Sequence, residues 1–310
     1  MYEQIFNLLF ILLKKTPDKL TFFFSKLICN FIYTISKFTK YKNFLENNIK
    51  NTLKTSEINS KKIAKRTIIL LIQNIVNFVK FEKLTEDKIK KIVSIKNIEN
   101  YYKAKERNKG IIFVSAHYGF WELIGAYISI VLKENLSVFV QRPSEKFIDN
   151  LFYKLRKSLN IETLYTDNYI SSFKKMINKL DNKNCLGFLI DQHCENEKYF
   201  VEFFNKFVSA PEISVNLAYR KDVPILPVFI KRIDKNKHEI KFYEPIFIDY
   251  SKNKDRVITD TLQNIYNIIE NTIKKKPDEY LWFYERFNKL SSQSIEIALN
   301  LELLKKEKLK

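Results

Sequence analysis

The stretch from Ile111 to Gly125, IIFVSAHYGFWELIG, limits the folds open to this chain more than any other. Ile111, Ile112, Phe113, Val114 and Ser115 read as a buried strand. Gly119 lets the backbone bend sharply, and from Trp121 to Ile130 the apolar residues recur at helical spacing. A strand running through a tight turn into a helix is then repeated down the chain. Strand 137–141 (SVFVQ) precedes a helix over 146–159, strand 161–165 precedes a helix over 169–181, and CLGFLI at 185–190 forms a further strand. This alternation predicts an α/β fold with a mostly parallel central sheet flanked by helices.

In such sheets the side chains that do chemistry sit where strands end at their carboxyl side. His117, Arg142 and Asp191 each fall one or two residues past a predicted strand. His117 and Glu122 stand about 140° apart on a regular helix and would not share a face. On either side of a bend, however, the chain reverses between them, and the carboxylate can reach back to the imidazole. That pairing suits a general base held by an acid. An acceptor's own hydroxyl loses its proton to His117, Glu122 takes the other ring N–H, and acyl transfer to an alcohol proceeds without a serine or cysteine nucleophile. A lone histidine at a strand end also serves as a hydrogen-bonded structural residue, and the pair alone leaves both readings open.

Arginine occurs eight times among 54 basic residues, so each arginine carries information. Arg142, stiffened by Pro143, and Arg156 in LRKSLN are candidates to hold a phosphate; a solvated basic helix face is the alternative. Asp191 reads either as a site carboxylate or as a plain strand-end cap. The 54 basic against 35 acidic residues give +19, which attracts nucleic acid, anionic lipid headgroups or an acidic carrier protein. Lysines are spread along the whole chain with no RNA-recognition or helix-turn-helix signature, which argues against nucleic acid as partner. Cys29, Cys185 and Cys194 are odd in number and irregularly spaced, so no disulfide framework follows. Cys194 beside His193 lacks the spaced partners of a zinc site or a thiol nucleophile, and neither metal nor cofactor is expected.

With 310 residues and 45% hydrophobic content the chain has ample material for a core. Residues 1–40 are apolar and aromatic. The run Ile5 to Leu13 is short of the ~20 residues a spanning helix needs, and Leu20 to Phe38 is interrupted by Lys26. An embedded, membrane-associating pair of helices is expected there, with packing on a soluble core as the alternative. Residues 41–108 read as a helical cap, with Ser60 and Thr85 starting helices, and 109–290 as the α/β core. Within that core, Pro224 and Pro227 suggest an edge position for strand 223–230. HEIKFYEPIFI reads as a last strand pair, and helices are expected over 257–275 and 278–288. The aromatic run Tyr199 to Phe207 is either core or the lining of an acyl slot. Residues 291–310 form a basic, amphipathic tail.

AHYGFWE, then QRP at 141–143, Asp191-Gln192, VEFFNKFVSAP at 201–211, VPILPVFI at 223–230 and DEYLWFYERFNK at 278–289 occur in that order over residues 40–289. In this order they resemble the late acyltransferases of lipid A biosynthesis, the lauroyl/myristoyl transferase family. The resemblance implies a glycerolipid-acyltransferase-like fold and a secondary fatty acyl chain moved from acyl-acyl carrier protein to a hydroxyl of an acyl chain on a lipid A precursor. It places the enzyme with membrane lipids at the cytoplasmic face of a bacterial inner membrane. It implies His117 as base with Glu122, a functional arginine at Arg156, and Asp191 orienting the acceptor or steadying a catalytic arginine. Phe120, Asn205 and Ala210 stand where many members carry Asn, Gly and Thr. Another glycolipid or glycerophospholipid acceptor is the alternative enzyme reading, and a basic nucleic-acid-binding protein the non-enzyme one.

Overall fold

The computed structural model describes residues 40–80, 84–193, 197–284 and 292–308, together with Thr16, Leu20 and Arg286. The strands in chain order are β1 (Val93–Lys96), β2 (Ile112–Ser115), β3 (Leu136–Val140), β4 (Glu162–Tyr165), β5 (Cys185–Leu189), β6 (Phe200–Phe203), β7 (Lys206–Ser209), β8 (Ile225–Asp234) and β9 (Lys237–Phe242). Seven of them form one sheet in the order β1-β9-β8-β2-β5-β3-β4, and β6 pairs with β7 alone. Every neighbouring pair in the large sheet is parallel except β8 with β9. The expected α/β architecture with a mostly parallel sheet is therefore present.

The helices are α1 (Lys40–Leu53), α2 (Glu57–Val79), α3 (Glu86–Ile92), α4 (Glu99–Lys105), α5 (Trp121–Ala126), α6 (Lys146–Ser158), α7 (Tyr169–Asp181), α8 (Ile213–Lys221), α9 (Lys254–Lys275) and α10 (Ser292–Lys308). They cover both faces of the sheet, which is why β2 is apolar without alternation. Ile112 and Val114 pack with Met176 of α7, Val215 of α8 and Ile258 of α9. Phe113 packs the other way, with Leu123 of α5 and Leu155 of α6. Each such side chain, removed from water, contributes about 1.5–3 kcal/mol.

Topology brings the site together. The chain leaves β2, builds β3 and β4 outward, and returns to insert β5 between β2 and β3. The carboxyl ends of β2, β5 and β3 consequently lie side by side, although they are far apart in sequence.

Several expectations are corrected. The helix over 57–79 is capped by Ser56, whose hydroxyl accepts from Asn59 N, while Ser60 is buried one turn inside and donates to Glu57 O. Thr85 caps α3 as expected. The region read as an all-helical cap also contributes β1, whose Val93 and Ile95 pair in parallel with β9. Strand β8 is interior, not an edge. Its Pro227 faces away from β2 toward the irregular stretch after β9, where its carbonyl accepts from Tyr243 N, so the missing donor breaks no ladder bond to β2. The expected last strand pair is β9 and a single bridge between Ile225 and Ile246.

Where a helix over 278–288 is expected, Pro277–Glu279 forms a short 3-10 turn, Tyr280 is extended and 282–284 turn again, while 285, 287 and 288 lie outside the described residues. Tyr280 and Trp282 are drawn into the core, and Tyr280 bridges to Tyr118. The aromatic run at 199–207 is the β6–β7 hairpin, with Phe204 and Asn205 both at positive φ in its turn. Its rings are core: Phe203 packs edge-on against Tyr266, and Phe204 lies against Trp282. Cys185 is buried beside Glu134, and burial pushes its thiol up to about 12. Apart from Thr16 and Leu20, residues 1–39 lie outside the described residues, as does Cys194, so the expected membrane-associating helices belong to that part of the chain. Among the described residues, no helix is long and apolar enough to cross a membrane.

On β9, His238 is 2% exposed beside the Phe120 ring, and burial with the nearby Arg232 and Lys276 charges lowers it from 6.5 to about 3. The folded state thus refuses a proton that the unfolded chain accepts. Its contribution to stability is complete above pH 6.5 and is lost as pH falls toward 3. Thermal melts of wild type and His238→Leu between pH 7 and pH 4 check this. The wild type should lose stability with acid more steeply than the variant.

Candidate active site

His117 stands two residues past β2 in the turn that leads into α5, and Asp191 stands just past β5. Because these strands are neighbours, the two side chains meet. His117 Nδ1 lies 2.9 Å from Asp191 Oδ1, and the same oxygen accepts the His117 backbone N–H at 3.0 Å. Asp191 is 2% exposed and the imidazole 19%. Burial opposes the carboxylate charge, yet His117 and the backbone donors hold Asp191 below the usual carboxylate range. An ionised Asp191 fixes the proton on Nδ1 and leaves Nε2 as the ring's basic atom. Burial, with the Asp191 carboxylate nearby, pushes the ionisation of the Tyr280 hydroxyl well up.

The expected Glu122–His117 contact is not made. Glu122 spends both carboxylate oxygens on Arg156, at 2.5 Å to Nη2 and 3.3 Å to Nε. Five residues of chain place Glu122 in the first turn of α5, facing α6, where a guanidinium fork offers two charge-assisted bonds against the imidazole's one. Arg156 is buried, and although burial opposes its charge the Glu122 carboxylate raises its basicity. Arg142 follows β3 as expected but is already bracketed by carboxylates. Its Nη1 bonds Asp149, its Nε bonds Asp167 at 2.8 Å, and its guanidinium stacks on Tyr165 at 3.7 Å. Those two acids neutralise the charge that a phosphate would otherwise meet.

The turn carrying His117 is clasped from both sides. Gly119 has φ +62, and a Cβ there would come within 2.1 Å of the Ile230 carbonyl oxygen. Its N–H donates to Glu279 O at 2.8 Å, so this amide is not free to receive an oxyanion. Its carbonyl accepts from Asn74 Nδ2 at 2.9 Å, and Asn74 Oδ1 accepts from Arg232 Nη2 at 2.7 Å. Glu279 Oε1 closes the ring by accepting the Arg232 backbone N–H at 3.0 Å. Leu281 N donates to His117 O at 2.9 Å. Asn74, Arg232, Glu279 and Tyr280 escape a reading of the sequence. The one available signal was a pair of amides, Gln73 and Asn74, in the mainly apolar second half of α2.

Two cavities meet here. The first, about 370 Å³, is lined by His117, Trp121, Glu122, Arg142, Arg156 and Gln192, with Leu71, Asn74, Ile75 and Phe78 of α2 forming one wall. The second, about 80 Å³, lies between the sheet and α5 and shares Trp121, Glu122, Phe139, Val140, Arg156 and Leu189 with the first. Its remaining lining is almost wholly apolar, including Phe113, Ile124, Ile128, Leu136 and Val138, and Gly125 and Gly187 leave it room. An apolar recess built by β2, β3, β5 and α5, and not by the 199–207 aromatics, thus adjoins the chamber that His117 lines. The arrangement offers a part-buried base, a chamber lined by both polar and apolar side chains, and an apolar recess in contact.

The family model described as bacterial lipid A biosynthesis acyltransferase matches residues 3–289. Among solved structures, that of the 1-acyl-sn-glycerophosphate (LPA) acyltransferase PlsC from Thermotoga maritima is similar at 14% identity, covering 83% of this chain and 96% of that one, with a TM-score of 0.39. No curated protein matches.

The clasp makes a stability prediction. Gly119→Ala must move the Ile230 carbonyl or abandon the left-handed turn, and should cost about 3 kcal/mol or more. Asn74→Ala strips one partner from two buried groups and should cost about 1–3 kcal/mol. Urea denaturation of both variants measures these losses.

Proposed function

Because the chain belongs to the bacterial lipid A biosynthesis acyltransferase family, we propose that it moves a secondary fatty acyl chain from acyl-acyl carrier protein to a hydroxyl on an acyl chain of a lipid A precursor. The observation that carries this reading is the His117–Asp191 pair at a chamber of mixed polar and apolar lining that adjoins an apolar recess. The chamber suits a hydroxyl and a thioester carbonyl, and the recess suits the hydrocarbon attached to that carbonyl.

His117 Nε2 takes the proton of the acceptor hydroxyl while Asp191 steadies the imidazolium. The oxygen attacks the thioester carbon, a tetrahedral adduct forms, and collapse breaks the carbon–sulfur bond. The thiolate leaves with the proton returned by the imidazolium, so no covalent acyl-enzyme is needed. Gln192 and the Arg156 guanidinium line the chamber and are the candidate donors to the oxyanion. Glu122 keeps Arg156 charged and pointed there, a positioning role in place of the one read from the sequence. Arg142 shapes the loop after β3 through Asp149 and Asp167 more than it offers free charge. The basic surface complements an acidic carrier protein, and the apolar residues 1–40 complement the cytoplasmic face of an inner membrane.

In a transfer assay with acyl-acyl carrier protein and a lipid A precursor, His117→Ala should abolish product in a variant that still folds, its melting temperature lowered by the donor that Asp191 loses. Asp191→Asn should lower kcat about 10²–10⁴-fold. Wild-type turnover in His117→Ala removes this histidine from the mechanism. Mass spectrometry of lipid A from cells lacking the protein should show the loss of one acyl group, and competing glycerophosphate or glycolipid acceptors test the acceptor class. Gly187→Val, whose first added carbon already meets Val138 Cγ1 at 3.2 Å, should shift donor preference toward shorter chains.

A further inference from the structure

Helix α2 forms one wall of the His117 chamber. Its residues there are apolar, Leu71, Ile75 and Phe78, except for Asn74, which is 7% exposed. The neighbours of Asn74 fix how its carboxamide is turned. Arg232 Nη2 can only donate and the Gly119 carbonyl can only accept, so Oδ1 faces the guanidinium at 2.7 Å and Nδ2 faces the turn at 2.9 Å. An amide nitrogen carries two hydrogens. Gly119 takes one, and among the described residues no acceptor takes the other. Because Gly119 stands two residues past His117, this unspent N–H belongs to a group seated on the turn that carries the base.

Holding the Gly119 carbonyl asks only for a neutral donor, yet a guanidinium stands behind it. Arg232 is 8% exposed, burial lowers its basicity against the pull of Glu279, and its Nε has no hydrogen-bond partner. A buried charge with incomplete pairing is unfavourable for folding and calls for another reason to be there. A cation bonded to an amide oxygen draws electron density from the nitrogen and strengthens its N–H groups as donors, most of all where water is excluded. The Gly119 amide, spent on Glu279 O, offers the chamber no donor of its own.

We infer that Asn74 is a catalytic residue: its unspent Nδ2–H donates to the thioester carbonyl oxygen as that oxygen becomes negative, and Arg232 is the positioning residue that orients and polarises it. The inference rests on the acyl-transfer reading and adds a third donor to Gln192 and Arg156. As the acceptor oxygen bonds to the carbonyl carbon, the π electron pair moves onto the carbonyl oxygen, where the Asn74 N–H meets it. Collapse returns that pair to the carbon–oxygen bond while the carbon–sulfur bond breaks. No proton leaves the amide.

Steady-state kinetics with acyl-acyl carrier protein and a lipid A precursor, at a temperature where circular dichroism shows each variant folded, test the assignment. Asn74→Ala should lower kcat about 10²–10³-fold, the effect of losing one oxyanion donor, with KM for the donor nearly unchanged. Its pH–rate profile should keep the wild-type position, because His117 and Asp191 still meet. Asn74→Asp has the same shape and still accepts from Arg232 but cannot donate, so it should lose at least as much and carries the test if Asn74→Ala does not fold. Arg232→Met leaves the Asn74–Gly119 bond and removes the polarising cation; its kcat should fall between those of wild type and Asn74→Ala. An alkylphosphonate, whose tetrahedral anion mimics the adduct, should bind Asn74→Ala more weakly by the factor lost from kcat/KM. A KM effect with kcat kept, a displaced pH–rate profile, phosphonate binding at wild-type strength or undiminished kcat in Arg232→Met overturns the proposal and returns Asn74 to the clasp alone. Wild-type protein that transfers no acyl group sinks the enzyme reading as well, whereas active wild type beside a fully active Asn74→Ala sinks only the oxyanion role.

Discussion

A carboxylate buried to 2% exposure is tolerated only when donors surround it, and the site is built around meeting that demand for Asp191. The His117 backbone and ring both donate to one of its oxygens. Neither of these donors is near it in sequence. The backbone bond requires β2 and β5 to end at the same level, which their parallel register from Ile112↔Leu186 to Ser115↔Leu189 provides. The ring bond requires the chain past β2 to turn at once, which Gly119 permits. The segment after Pro277–Glu279 holds that turn through Leu281 N, which donates to His117 O. Loss of any one would leave a charge in the interior short of partners, so the geometry of the base and the stability of the turn are the same problem.

Around this pair a second set of buried polar groups separates two environments. Glu122 and Arg156 form a compact ion pair at the junction of the chamber and the apolar recess. Both are nearly removed from water, and such a pair is costly to bury but far more costly to break. Its two charges share one boundary: the carboxylate satisfies the arginine from one side, and the guanidinium's remaining N–H groups stay available to the chamber. An imidazole in the arginine's place would use one carboxylate oxygen and leave the other wanting. That difference in donor number decides which carboxylate each base receives.

The same reasoning shows why the sequence was legible where it was. Apolar runs and their spacing report burial, so β2 to β5 and the helices between them can be read directly, and strand ends identify His117 and Asp191 as candidates. Partners are another matter. Glu122 is five residues from His117 and Asp191 is 74, yet the distant one wins because β5 is inserted beside β2 by the topology. Pro227 misleads because a missing N–H excludes pairing on one side of a strand only. The run 278–288 misleads because Tyr280 and Trp282 are buried anchors of a turn-rich stretch and not one face of a helix. Asn74 is hidden for the opposite reason: one amide among Gln73, Asn74 and Asn77 in the mainly apolar second half of α2 has no spacing signature, and its importance comes from the carbonyl it meets 45 positions away.

Scarcity of glycine sharpens this last point. Four glycines serve 310 residues, and the two with the clearest burdens do opposite things. Gly119 brings backbone against backbone, so a side chain there is excluded by the Ile230 carbonyl whatever the neighbours do. Gly187 faces Val138 Cγ1 at 3.2 Å, a contact that a valine rotamer can relieve, so the excluded volume is a matter of degree. The first is required by the fold of the catalytic turn, while the second only withholds atoms from the recess. A chain that fills its core so completely elsewhere, yet leaves β5 without a side chain where the recess passes it, keeps that space open by composition and not by imperfect packing.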